Sequence, residues 1–485
     1  MVARRASLIL VLIVFLTLGF FSWNFSEFFS PDGIYYFGRR LASLSDVTSA
    51  FANLDNRGQY RPFGLVLFSF LFYPLLGFGP VGYHVIPLVF HVANVLLVYR
   101  IARELRADSK VALGAAFFFA LHRCNFFVTF GVTFMPDFAG CFFFLAAFLA
   151  YIRKRGPGGY IFALVLWILA LGNKETVVVF PALLLCYEWL FAHRNGTDWQ
   201  WAEALKRLLP FAAVSVIFVA FIFHLYGGNL YPDDSRHPYR ASVSVSSLLP
   251  KVKYLWWAVN LPEGSGLANA LVPGVVKSAA LPKLSVPYPT QTLVSAGLML
   301  PFAAGFLVFV LSRLARRDAL VAFGLAAFFL TLAPVLPLAG RVMHHNLYFS
   351  LLGLSLVMGK FLTAILETRL KILAPVFALV FMFSTVVGVA NKRHSSWPVR
   401  SARISRQLLE HFQVVARSGQ VCESGGVLIG RTGEPDFVWY SDGGNLFRIF
   451  GPCPNIDIYF EDLGQTPPHP GIVRMDFQSQ VDQLR

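Results

Sequence analysis

Twelve apolar runs, most of them roughly 15–25 residues long, fill the first 390 residues, and that is the length a helix needs to cross a bilayer. They cover residues 8–21, 63–77, 82–102, 111–130, 134–152, 160–173, 176–193, 208–226, 290–311, 319–338, 345–366 and 371–390. A chain in lipid must satisfy its backbone polar groups internally, so runs of this length fold as helices. Charge agrees: 14% of residues are charged, where a soluble domain carries about a quarter. A cytosolic enzyme, a disordered chain and a nucleic-acid module are all excluded. The net charge of +15 gathers in short loops between the runs, where it sets topology, and no nucleic-acid partner is expected.

Arg4 and Arg5 precede the first run, and no small-x-small cleavage site follows it, so the run reads as an uncleaved anchor with a cytoplasmic N-terminus. Three basic clusters, Arg103/Arg106/Lys110, Arg153/Lys154/Arg155 and Arg313/Arg316/Arg317, belong on the cytoplasmic side. All three fall there only if 63–77 does not cross. That run also holds Pro74 and Gly77, and it is expected as a juxtamembrane or re-entrant helix, leaving about 11 transmembrane helices. Residues 22–62, 227–289 and the tail from Asn391 then lie outside, as expected of a multi-pass protein of a bacterial inner membrane.

The tail differs in kind. Residues 400–485 have ordinary polar composition with short β-like stretches at Val427–Gly430, Phe437–Tyr440 and Ile456–Phe460. The expected organisation is an all-α membrane domain over 1–390 and a small extracytoplasmic α+β or β-rich domain over 391–485. Cys422 and Cys453 both fall in this tail, so a disulfide between them is a fair hypothesis. Cys124, Cys141 and Cys186 read as packing residues, and no cysteine spacing matches a metal motif.

Ionisable groups at the edge of a span cost roughly 2.5–3.5 kcal/mol on insertion scales, so each asks for a reason. Asp32, in Ser-Pro-Asp-Gly, is either a solvated turn residue or a general base. Asp137, after Met135-Pro136, sits where a helix dipole alone would favour an acid. Lys174 and Glu175 can neutralise each other or hold an anion between them. Arg341 begins Arg-Val-Met-His-His-Asn-Leu-Tyr, which ends at Tyr348, and a guanidinium there can take two phosphate oxygens. His344 and His345 point apart on a helix and make a poor chelate. Asp233 and Asp234 read better as a solvated turn than as metal ligands.

Tyr60-Arg61-Pro62, Gly82-Tyr83-His84 with His91 and Asn94, Val98 to Arg103, Ala120-Leu121-His122 and Leu171 to Thr176 follow one another in a familiar order. The series resembles the transmembrane O-mannosyltransferases that carry tetratricopeptide repeats, and more broadly the GT-C glycosyltransferases. The resemblance covers residues 7 to about 390. Relatives often have two adjacent acids where this chain has Asp32-Gly33, Gly-Arg-Asp where it has Met-Pro-Asp, and a Glu where it has Gly340. They also carry a repeat array that is missing here.

The resemblance implies an inverting transfer of a sugar, such as mannose, from a polyprenyl-phosphate donor to a protein or glycan acceptor. Asp32 would be the base, and Arg341 and Lys174 would meet the leaving phosphate, with His344 and Tyr348 as further donors. Asp137, Glu175 and Arg61 would position substrate or those cations. No cofactor is demanded, although a divalent cation is compatible with such a site. A lipid-linked-sugar transporter or flippase and a non-catalytic membrane subunit are the rival expectations.

Overall fold

The computed structural model describes residues 2–55, 57–153, 156–191, 201–232, 239–242, 244–262, 287–338, 341–417, 419–430, 436–453, 456–468 and 471–477. Asp233, Asp234, Lys154 and Arg155 lie outside them.

Helix α1 (Val2–Phe21) leads to two short helices, α2 (Pro31–Gly38) and α3 (Leu44–Ala52). The apolar helix α4 (Pro62–Leu76) contains a π turn and ends at Gly77, whose φ of 56° suits glycine. The body continues with α5 (Pro80–Glu104), α6 (Ser109–Leu121), α7 (Met135–Arg153), α8 (Gly156–Leu171), α9 (Phe180–Phe191) and α10 (Trp201–Leu225). After α11 (Val252–Ala258) come α12 (Pro289–Ala315), α13 (Ala319–Leu332), α14 (Leu351–Leu366) and α15 (Leu373–Ser395), the last running past residue 390.

Six described helices are long and apolar enough to span a membrane, and five shorter apolar ones accompany them. Large side chains such as Phe15, Val216, Ile217, Leu307 and Val308 stand exposed on α1, α10 and α12, as lipid contact requires. This is an integral membrane protein.

Where lipid tails are as apolar as leucine, helices associate by close backbone packing and interhelical hydrogen bonds. Both occur here. A Cβ on Gly359 of α14 would run into backbone of α6, and one on Gly353 into backbone of α13. Tyr348, fully buried, donates or accepts at His91 Nδ1 (2.8 Å) and accepts from Asn94 Nδ2 (3.1 Å), pinning α5 to the chain entering α14.

The tail opens with the amphipathic helix α16 (Trp397–Ala416), whose apolar face is buried. It then forms β1 (Gly426–Ile429), helical turns α17 (Phe437–Tyr440) and α18 (Asn445–Phe450), β2 (Asp457–Phe460) and β3 (Val473–Met475). The strands make a small parallel sheet in the order β2-β1-β3, with helices between β1 and β2, and the Cys422–Cys453 disulfide is formed. Phe437–Tyr440, expected as a strand, is helical instead, because four aromatic and apolar residues are too few to show which period they follow.

The tail is packed onto the first loop. Phe450 of α18 lies among Phe28, Phe29, Phe37 and Phe78, with ring centroids 5.1–5.6 Å away. Asn445 lies so close to Gly38 that a side chain there would collide with it.

Candidate functional site

A cavity of about 870 Å³ lies between the first loop, the membrane body and the tail. Asp32 enters it from the first turn of α2, where Pro31 at the first helical position leaves the carboxylate on the helix rim. The loop from Asn53 to Arg61 lines the same space and is organised by Asp55. One Asp55 oxygen accepts the backbone N–H of Arg57 (2.9 Å) and Gln59 (2.8 Å), and the other accepts the Tyr35 hydroxyl (2.8 Å). The turn so formed carries Arg57 over the Tyr35 ring, 4.0 Å from its centroid.

Arg57 holds two carboxylates at once. Its Nη1 is ion-paired with Asp32, and its Nη2 donates to Asp442 Oδ1 of the tail at 2.7 Å. Asp442 stands in a turn of three left-handed residues with Gly443 and Gly444, at a φ of 48° that aspartate tolerates better than most residues. Burial raises its carboxyl above the usual range, against the pull of Asn445 and Arg57.

A second charged group comes from the membrane body. Lys174 Nζ lies 3.1 Å from Asp137 Oδ1, with both side chains nearly sealed at 6% and 5% exposure. Arg61 grips Glu175 through two hydrogen bonds, of 3.0 and 3.3 Å. Burial opposes ionisation of Glu175, but Arg61 and Lys174 outweigh it and hold the carboxyl down at about 2. The turn that presents Lys174 and Glu175 depends on a close approach: the Phe63 N–H donates to the Gly172 carbonyl at 3.1 Å, and the Phe63 ring occupies the place of a Cβ on Gly172.

Arg341 completes this wall, its guanidinium 4.3 Å over the Tyr239 ring. Buried Lys251 fixes its segment by donating to the carbonyls of Leu338 (2.6 Å) and Arg341 (2.8 Å).

The cavity thus brings together Asp32, Asp137, Lys174, Arg61 and Arg341, with Glu175 behind Arg61. Two expected members stand elsewhere. His344 is stacked on Trp257 at 3.7 Å, beside Lys392, and its neighbour His345 lines the cavity in its place, since adjacent side chains point in different directions. Tyr348 is enclosed in the helix core with His91 and Asn94. Sequence reasoning missed Arg57, Asp442, Trp397, Trp439 and Tyr239. Among the described residues, no group of three or more His, Cys, Asp or Glu stands where it could hold a metal ion.

No family model matches the chain. It is 34% identical over 173 residues to the protein O-mannosyl-transferase Tmtc1 of Drosophila melanogaster, and 31% identical over 136 residues to human protein O-mannosyl-transferase TMTC3. These matches take in 32% and 27% of this chain, but only 20% and 15% of those relatives. The crystal structure of the apo oligosaccharyltransferase of Archaeoglobus fulgidus superimposes with a TM-score of 0.51 at 14% identity, over 93% of this chain and 64% of that one. At that identity the likeness carries the fold alone. The GT-C resemblance drawn from the motifs therefore agrees with the relatives in sequence and with the fold in structure.

Proposed function

We propose that the chain is an inverting GT-C-type glycosyltransferase that moves a sugar, such as mannose, from a polyprenyl-phosphate donor to a protein or glycan acceptor. The observation that carries the reading is the single cavity in which a carboxylate, Asp32, shares space with the cations Lys174, Arg61 and Arg341. In this reading Asp32 takes the proton of the acceptor hydroxyl as its oxygen bonds to the anomeric carbon, help worth roughly 10²–10⁴-fold. The glycosidic C–O bond breaks toward the phosphate. That leaving group is already stable as an anion and needs cations rather than an acid, a service suited to Arg341 and Lys174.

Arg57 sits on two carboxylates, so it can keep Asp442 while an acceptor hydroxyl displaces it from Asp32. Asp137, Arg61 and Glu175 keep the cations in place. Topologically, the reading has about eleven spans in a bacterial inner membrane, the N-terminus inside, and residues 391–485 outside with the cavity.

Purified protein with a panel of radiolabelled polyprenyl-phosphate sugars tests this. Label should leave the lipid with wild type and stay with Asp32→Asn. Donor that binds both proteins alike and is turned over by neither would refute the transfer and favour a transporter.

A further inference from the structure

Two indoles from the tail reach the same cavity: Trp397, the first residue of α16, and Trp439, on α17. Their ring centroids are 6.0 Å apart and their planes meet at 51°, so they form a corner rather than a flat stack. Both remain only half-buried, although the tail around them is packed onto the first loop. The Trp397 indole N–H is buried and has no hydrogen-bond partner among the described residues.

We propose that Trp397 and Trp439 form a stacking subsite for a pyranose ring of the acceptor, which makes that acceptor a glycan. The proposal rests on the glycosyl-transfer reading for the word acceptor only. A pyranose presents one face of C–H groups and a rim of hydroxyls. The C–H face matches the electron-rich face of an indole, and the rim matches polar groups such as Asn53 and Gln59. A peptide bound by strand addition would instead call for a sheet edge, yet no residue of the three tail strands lines the cavity.

Position separates this subsite from the donor. The cations suited to a lipid phosphate come from the membrane body, whereas both indoles come from the tail. Trp439 lies three residues before Asp442, which holds Arg57 and, through it, Asp32. A ring seated on Trp439 would bring its hydroxyls toward the proposed base.

Saturation-transfer NMR on the whole protein in detergent tests this without needing turnover. The probes are methyl α-mannoside, methyl β-glucoside, their disaccharides and an unmodified Ser/Thr-rich peptide. A sugar of the panel should bind wild type, with enhancement concentrated on one ring face. Binding should weaken about 3- to 10-fold in Trp439→Ala and less in Trp439→Phe. No sugar binding to wild type, equal binding to Trp439→Ala, or capture of the peptide alone would overturn the subsite. If Trp439→Ala fails to assemble, 5-fluorotryptophan labelling decides. The 19F resonances of Trp397 and Trp439, assigned with single Phe variants, must move when the sugar is added; stationary resonances overturn the proposal. Trp439-dependent sugar binding in a protein that turns over no donor would uphold the subsite and fail the transfer reading.

Discussion

Replacing Asp137 with Asn leaves the Lys174 ammonium in a site only 6% exposed, without the carboxylate now 3.1 Å away. Coulomb attraction at that distance is about 5 kcal/mol at an effective dielectric near 20. Removing one partner of a buried pair costs about 3–5 kcal/mol. Glu175, which already feels Lys174, makes up part of the loss and favours the lower figure. At about 2 °C per kcal/mol for a large chain, the melting temperature should fall by about 6 °C. Intrinsic fluorescence during heating in detergent would measure it.

Two further results follow from the same argument. Adding Lys174→Met to Asp137→Asn should recover most of the loss, because the stranded charge is gone. A polyprenyl phosphate should raise the melting temperature more in Asp137→Asn than in wild type, since its anion replaces the missing carboxylate. An Asp137→Asn protein that melts within about 1 °C of wild type, or a double variant less stable than either single one, would refute the reasoning.

Asp442→Asn takes the tail carboxylate from Arg57 and leaves more of its charge to Asp32, so an acceptor should displace it less readily and turnover should fall while the tail stays protease-resistant; unchanged turnover contradicts the shared-arginine arrangement. Reducing the Cys422–Cys453 bridge, which spans 31 residues, should cost the tail about 2–4 kcal/mol, seen as faster proteolysis after α16 under a reductant. Glu175 sits below its ordinary value of 4.5, so its ion pair stabilises the fold fully above that pH and loses its effect as pH falls toward 2. Melting should show that decline in wild type and a shallower one in Glu175→Gln.

The apolar helices of the membrane body were legible in the sequence because their signal is local: apolar run length needs no knowledge of contacts. Asp32, Asp137, Lys174 and Arg341 stood out for a related reason, being ionisable groups beside apolar runs. Arg57 and Asp442 gave no such signal. They lie in polar segments where a charge is unremarked, and their pairing joins positions 385 residues apart. Trp397 and Trp439 were hidden likewise, since an indole in a polar tail says nothing of what it faces. His344 and His345 could not be told apart from sequence, because only the path of the short helix His344–Leu347 decides which ring enters the cavity.

The tie from Asp32 through Arg57 to Asp442 also sets an order on biosynthesis. Arg57 leaves the ribosome 385 residues ahead of Asp442, roughly 20–80 s earlier at ordinary elongation rates. Through that interval the nascent chain holds the first loop but not the surface it packs against. The cavity is therefore finished only after the tail has been made and has docked, so a ribosome that stalls midway yields an incomplete cavity rather than a working one.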